Sequence, residues 1–421
     1  MGFRNYDVSV TNIKRKRNPR FNTRPWLLVA AVALTPFGCG QLTVKEINAR
    51  LAASLADAVT EDEEVKSAAL LVDAPRLGLS VQLAVGVAHE ATGTAMTTET
   101  PFLSASIGKL FVATAVMKLV ADGRLSLDDP LTKWVPLSSI TGLPVVGGDR
   151  ALGRITVQML LTHRSGLPDY FSGKPRAGAE RLFDVMAKQP GTTWTRTALL
   201  DYARQHYDPV GAPGTIFAYA DTNYDLLGMV LEGVVAGGAH AIAAGAPPTF
   251  HQVVRQEVLT PLALGSTWYH AFETAPPGLP TTADVFIKSV NMTGASSLSA
   301  DQAGGGLVTT LGDLGRFIRA LVEGRPVPLS TMATAYTKDA MHAGIDVGLC
   351  AWRIRPRGIF FALGGLPDLV GHSGATGAFA YYAAEHDAVI VGTFNQTTWQ
   401  ENHVKFLLSD VLPVLARARR S

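Results

Sequence analysis

The chain has 421 residues, 47% of them hydrophobic and 17% charged, against roughly 25% charged in an average soluble domain. That excludes a disulfide-stapled miniprotein and a chain disordered throughout, and at roughly 150 residues per domain it predicts two to three structural units. The formal charge of +2 hides an asymmetry: residues 1–24 hold seven basic side chains and one acidic, and the remainder holds 30 basic against 34 acidic. A net-negative body without a basic stripe argues against nucleic acid as a partner, because phosphate neutralisation supplies most of that affinity.

After the basic stretch, residues 26–34 form an apolar run of nine, too short for the roughly 20 that span a bilayer and of signal-peptide size. Two processing sites compete. Ala31-Val32-Ala33 has the small-x-small pattern of ordinary signal cleavage, while Pro36-Phe37-Gly38-Cys39 ends in the Gly-Cys of a bacterial lipoprotein box, departing from it at Pro36. Cleavage after Ala33 would leave almost no hydrophobic segment ahead of the site. The reading therefore favours a signal segment over residues 1–40, lipidation at Cys39, and export to the periplasm or cell envelope, with an uncleaved anchor or an unlipidated secreted form as alternatives. The other cysteine, Cys350, lies among apolar neighbours and reads as a small buried hydrophobe, so no disulfide framework is available. Ten histidines form no H-x-x-x-H pair, and neither a metal nor another cofactor is expected.

Apolar spacings of three and four predict a helix over 43–58, and strands follow at 67–72 and 80–87 with the Asp73-Ala74-Pro75 turn between them. A long apolar helix runs from Ser106 to Asp122 and stops at Gly123. From 125 to 300 the pattern is helical, at 156–162, 181–187, 199–207, 222–235 and 249–259, with residues 273–303 reading as loop. A helix over 311–323, short strands and a closing helix near 398–417 complete the chain, and the runs 379–384 and 388–395 make a hairpin around Glu385-His386-Asp387. Strands at both ends with helices between them give a discontinuous α/β domain of residues 41–125 and 301–421, with a helical domain of residues 126–300 inserted.

Chemistry concentrates first at Ser106-Ile107-Gly108-Lys109. At 3.6 residues per turn the hydroxyl and the amine project from one helix face, close enough for the amine to take or relay the hydroxyl proton. A serine in the first turn also sits at the positive end of the helix dipole, which favours an alkoxide and the oxyanion that follows its attack. Alone, S-x-x-K is a weak signal that a capping serine and a solvated lysine would also satisfy. Here Ile107, Leu110, Phe111, Val112, Val116, Leu119 and Val120 leave scarcely a polar face, so the helix is buried and Lys109 lacks water. Desolvation should then push the lysine pKa down toward that of a base.

The segment FLSASIGKLFVATAVMKLVADGRLSLDDPLTKWVP resembles the active-site helix region of the serine β-lactamase and D-Ala-D-Ala peptidase superfamily, in particular its class C-like β-lactamase and esterase branch. The strings ITVQMLLTHRSGL, FAYADTNYDLLG, TPLALGST, AGGGLVTTLGDLGRF, VGLCAW and GHSGATG fall in the family's order, so the resemblance covers residues 65–394. It implies an α+β sandwich: an antiparallel sheet flanked by helices from both chain ends, with the helical domain inserted and the active site between them. It further implies Ser106 as nucleophile, Tyr219 sharing general-base duty with Lys109 and protonating the leaving group, and the N–H groups of Ser106 and Ala375 as the oxyanion hole. Asp221, His372, Ser373 and Gly374 are expected to bind substrate.

Two departures from the family stand out. Asp221 replaces the usual Asn, and a carboxylate near Lys109 would hold the amine protonated and shift base work toward Tyr219; a plain helix N-cap is the alternative reading. Residues two apart in an extended approach point the same way, so Tyr219 and Asp221 can enter one cleft. No K-T-G occurs, and His372 stands where the family has lysine. An imidazole is mostly neutral at pH 7, which removes a cation that would pair with a substrate carboxylate, an interaction of roughly 1.5 to 3 kcal/mol.

Arg164-Ser165-Gly166 competes with His372-Ser373-Gly374 by spelling but lies in a structural turn, with His163 as a structural hydrogen-bonder. Gly304-Gly305-Gly306 reads as tight backbone packing rather than a phosphate loop, and G-x-S-x-G and Walker strings are absent. The function expected is an exported serine hydrolase that forms an acyl-enzyme on small esters or on D-amino-acid and cell-wall peptides. A true β-lactamase, and a non-catalytic lipoprotein that binds cell-wall fragments, are the alternatives. The loops that would shape the pocket, at 138–153, 170–178 and 273–303, carry no specificity code.

Overall fold

The computed structural model describes residues 41–239 and 248–418, so Cys39 and the rest of the 1–40 segment lie outside the described residues. Helix α1 (Val44–Glu61) starts on a capping box: Glu46 N–H donates to Thr43 Oγ1 at 3.3 Å and Thr43 N–H donates to Glu46 Oε2 at 2.8 Å. Its Ile47, Leu51, Leu55 and Ala58 make one buried stripe. Strand β1 (Ser67–Ala74) is buried on both faces, as its unbroken apolar run requires. There follow β2 (Leu79–His89), β3 (Thr94–Ala95), α2 (Gly108–Ala121), α3 (Asp221–Ala236) and α4 (Leu311–Val322). The last strands are β4 (Thr337–His342), β5 (Ile345–Val347), β6 (Trp352–Ile354), β7 (Leu369–Ser373), β8 (Phe379–Ala383) and β9 (Ala388–Thr393).

These strands form one nine-stranded sheet in the order β3-β2-β1-β9-β8-β7-β6-β5-β4, antiparallel throughout. The two chain ends meet where β1 pairs with β9, from Ala69 opposite Thr393 to Asp73 opposite Val389. Successive residues of a strand face opposite sides, and the two cores keep that parity. Leu70, Val72, Tyr381 and Ile390 pack with α1 and the closing helical turns (Asn402–Phe406, Leu407–Val411, Leu412–Leu415). Ala69, Leu71, Ala380 and Val391 lie on the side packed by α4 and join the large core that continues through α2 and the helical middle of the chain. The expected α+β architecture, an antiparallel sheet with helices on its faces, is the one found.

Helix α2 is buried along nearly its whole length, and Phe111 stacks on Phe317 of α4 at 3.8 Å between ring centroids. Its start differs from the sequence reading. Ser106 lies in a 3₁₀ turn, Ala105–Ile107, ahead of the α-helix, and Ala105 has a φ of 46°, a left-handed conformation unusual for a residue with a Cβ. Residues 273–303, read as loop, contain the paired strands Phe286–Ile287 and Val290–Asn291 and the 3₁₀ turn Ser296–Ala300. Two-residue strands are too short to leave a periodic signature.

Candidate active site

The turn at Ala105–Ile107 keeps Ser106 and Lys109 on one side despite the change of helix type. Lys109 is fully buried, and its ammonium donates three hydrogen bonds: to Ser106 Oγ at 3.0 Å, to the carbonyl of Gly304 at 2.8 Å, and to Asp221 Oδ1. An ammonium has three protons, so none is left over. Burial alone pushes the amine down, but Asp221, Tyr219 and Asp301 more than offset it, and Lys109 is raised above its ordinary value. The expectation of a lysine lowered by burial is therefore corrected, while the expectation that a carboxylate at Asp221 would hold the amine protonated agrees with the structure, in which Tyr219 and Asp301 add to its effect.

Tyr219 arrives from the strand-like approach to α3, in which Ala220 is extended, with φ −151° and ψ 127°. The two residues flanking Ala220 do reach the same cavity. Asp221 binds Lys109, and the Tyr219 ring centroid lies 5.2 Å from Lys109 Nζ. Burial raises the Tyr219 phenol, while the Lys109 charge and the interactions with Ser106 and Lys109 draw it back only in part. His163 stacks on the ring at 4.3 Å, and its Nδ1 accepts from the N–H of Ala220 at 3.1 Å. It thus fixes the phenol and the entry to α3 together. Asp221 is not the N-cap of α3, which is Ala220; instead the Asp221 N–H donates to Asp169 Oδ1 at 3.1 Å.

The strand expected to bind substrate is divided by its own pleat. His372 pairs with Ala380 and faces the site, whereas Ser373 pairs with Phe379 and faces the opposite core. Ser373 Oγ is bonded to Tyr381 Oη and, at 2.7 Å, to Nε2 of His403, which removes its hydroxyl from the site. Its assignment to substrate binding is corrected on that ground. His372 has no exposed surface, bonds the Ser373 carbonyl through Nδ1 at 2.7 Å, and packs on Trp352 at 4.5 Å. Burial, aided by the Lys109 charge, holds it down at about 3. It is a neutral wall, and direct substrate contact by the imidazole is also corrected. Gly374 is needed for close approach: a Cβ there would lie 2.4 Å from the carbonyl of Ser104. The turn beyond it is tied by Gly374 N–H to the Ala378 carbonyl at 2.7 Å and by Gly377 N–H to the Gly374 carbonyl at 3.1 Å, and neither bond uses the amide of Ala375.

Sequence reasoning missed Asp301, Asp169 and Trp352. Burial pushes Asp301 up to about 7, against the pull of Lys109. The glycine run was the available signal. A Cβ on Gly304 would lie 2.6 Å from Asp221 Oδ1, and one on Gly305 would lie 2.6 Å from both the Ala105 backbone and Asp301 Oδ2. Ser165, in the competing string, bonds Asn223 Oδ1 at 2.6 Å and is structural.

A serine hydroxyl bonded to a buried lysine beside a half-buried phenol, at an antiparallel sheet, defines a class. The family model described as Beta-lactamase matches residues 42–409. The chain belongs to the Beta-lactamase family of serine hydrolases. Penicillin-binding protein 4 of Amycolatopsis lactamdurans is 30% identical over 208 residues, 49% of this chain and 46% of that protein. Esterase EstB of Burkholderia gladioli is 34% identical over 151 residues, 35% of this chain and 36% of that protein. The chain thus spans less than half the length of either relative. Among solved structures, a D-stereospecific amidohydrolase from Streptomyces sp. superposes with a TM-score of 0.67 at 24% identity, over 87% of this chain and 99% of its own. The D-amino acid amidase of Ochrobactrum anthropi SV3, complexed with D-phenylalanine, gives 0.68 at 22% identity, over 89% and 99%. These two structures share the fold.

Proposed function

We propose that the protein is a serine hydrolase that works through an acyl-enzyme, with Ser106 as nucleophile and Lys109 and Tyr219 moving its proton. The observation that carries the reading is the 3.0 Å bond between Nζ of the fully buried Lys109 and Oγ of the partly exposed Ser106, with the Tyr219 ring 5.2 Å from the amine. Ser106 Oγ bonds to the substrate carbonyl carbon, the carbonyl electrons move to its oxygen, and the N–H groups of Ser106 and Ala375 hold that oxyanion. The serine proton passes to the Lys109–Tyr219 pair in its basic form, and Tyr219 returns a proton to the leaving group as the acyl–leaving group bond breaks. Water then attacks the ester and restores Ser106.

The neutral, covered His372 supports esters and D-amino-acid amides or peptides as substrates over β-lactams, whose carboxylate finds no cation on this strand. Hydrolysis of p-nitrophenyl acetate and of D-aminoacyl amides at rates well above that of nitrocefin would support this reading, and faster nitrocefin turnover would replace it with that of a β-lactamase. Ligand binding that survives unchanged in Ser106→Ala, with no turnover by the wild type, would support the non-catalytic alternative. The basic stretch, the apolar run and Cys39 support export with a lipid anchor. Incorporation of a fatty-acid analogue into the wild type and its loss in Cys39→Ala tests that.

A further inference from the structure

A cleft of about 630 Å³ opens beside Tyr219, which lines it together with Ala218. Pro168, Pro175, Tyr207 and Pro209 give it an apolar body, and Val210, also in the lining, leads to an apolar rim. At that rim Val146, Val210 and Ile216 are 49%, 43% and 39% exposed. They meet around Gly211, whose carbonyl accepts from the Val146 N–H at 3.2 Å and whose Cβ, if present, would lie 2.9 Å from Ile216.

The charges of the lining are unequal. Arg176 is committed to Asp208 at 2.8 Å. Asp169 is saturated by the N–H groups of Asp221, Phe171 and Ser172 and by the Ser172 hydroxyl. Lys174 is exposed and, among the described residues, has no ion-pair partner. A concave apolar surface with one unspent cation selects a ligand of matching shape and charge.

We infer that this cleft receives the leaving group of the substrate, and that the preferred leaving group is an apolar amino acid, its side chain against the prolines and Val210 and its carboxylate at Lys174. The inference rests on the proposed role of Tyr219: the nitrogen that takes the phenol proton is the substrate atom nearest that side chain, so whatever extends from that nitrogen enters the space Tyr219 borders. The acyl carbon passes from that nitrogen to Ser106 Oγ, and the amino acid departs as a neutral amine carrying its carboxylate. Lys174 then supplies, from a loop, the cation that the sheet strand lacks.

The test uses the full chain and two matched peptides, D-Ala-D-Phe and its C-terminal amide, with p-nitrophenyl acetate as the reference reaction. The free acid should be cleaved with a kcat/KM about tenfold above the amide, the size of one charge-assisted contact at a wet rim. Lys174→Glu should invert that ratio, and Val210→Asp should lower kcat/KM for both peptides. The ratio is read within each variant, so a general loss of folded enzyme cancels. An acid-to-amide ratio near one in the wild type, or one that Lys174→Glu leaves alone, overturns the inference, as does p-nitrophenyl acetate turnover with neither peptide cleaved; in each case the hydrolase reading stands. Failure of Ser106 to form any covalent adduct overturns both.

Discussion

Lys109 and Asp221, 112 residues apart in sequence, form an ion pair in which the ammonium is cut off from solvent. Its remaining protons are held by Ser106 Oγ and the Gly304 carbonyl, so the resting amine is a donor to the nucleophile. Turnover therefore requires the Lys109–Tyr219 pair to shed one proton first, and activity should rise with pH.

Asp221→Asn tests this coupling. The carboxylate helps raise Lys109 above its ordinary value against the opposing effect of burial, so the amide should let the amine lose its proton more readily. The rising limb of the kcat/KM profile should move to lower pH, and the fold should lose about 3 to 5 kcal/mol because a buried cation keeps no full counter-charge. A limb that stays in place would remove Asp221 from the proton pathway.

Tyr219→Phe keeps the ring that stacks on His163 at 4.3 Å and deletes only the hydroxyl. If the phenol moves the proton, kcat should fall by about 10² to 10⁴ with little change in thermal stability. A fall of less than about threefold would show that Lys109 needs no partner.

Gly304→Ala places a methyl 2.6 Å from Asp221 Oδ1, whereas Gly312→Ala in α4 meets nothing closer than Arg316 at 3.6 Å. The first should cost about 1 to 3 kcal/mol and most of the activity, and the second should be neutral or stabilise by up to about 1 kcal/mol. Chemical denaturation with a parallel esterase assay separates the two.

His403 anchors strand β7 from the far side of the sheet. Its Nδ1 bonds the Trp399 carbonyl at 3.2 Å, which as donor leaves Nε2 to accept from Ser373 Oγ at 2.7 Å. Burial lowers it from 6.5 to about 4. The neutral ring therefore contributes stability that is fully present above pH 6.5 and lost as pH falls toward 4. The stability advantage of the wild type over His403→Gln should narrow by up to about 2 kcal/mol between about pH 7 and pH 5, since one pKa unit is about 1.36 kcal/mol. A gap constant across that range would mean that the imidazole is not held neutral.

The legible parts of this protein are those written in local spacing. Ser106 and Lys109 are three residues apart, and Tyr219 and Asp221 two, so helix and strand geometry alone brings each pair onto one side. The burial of α2 follows from its apolar circumference. What stayed hidden depends on chain crossings: Asp301 and the Gly304 carbonyl reach Lys109 from a segment with no periodicity, and the Asp301 charge adds to those of Asp221 and Tyr219 in reversing the shift that burial alone implies. Ser373 misled because its motif reads as a unit, while the pleat sends its hydroxyl to His403 and leaves His372 alone on the side of the nucleophile.

Treatment of the purified protein with a fluorophosphonate, followed by peptide mass spectrometry, addresses the nucleophile itself. One adduct per chain, on Ser106 and abolished in Ser106→Ala, is the predicted result; an unmodified Ser106, or an adduct on another serine that survives in Ser106→Ala, would contradict the assignment.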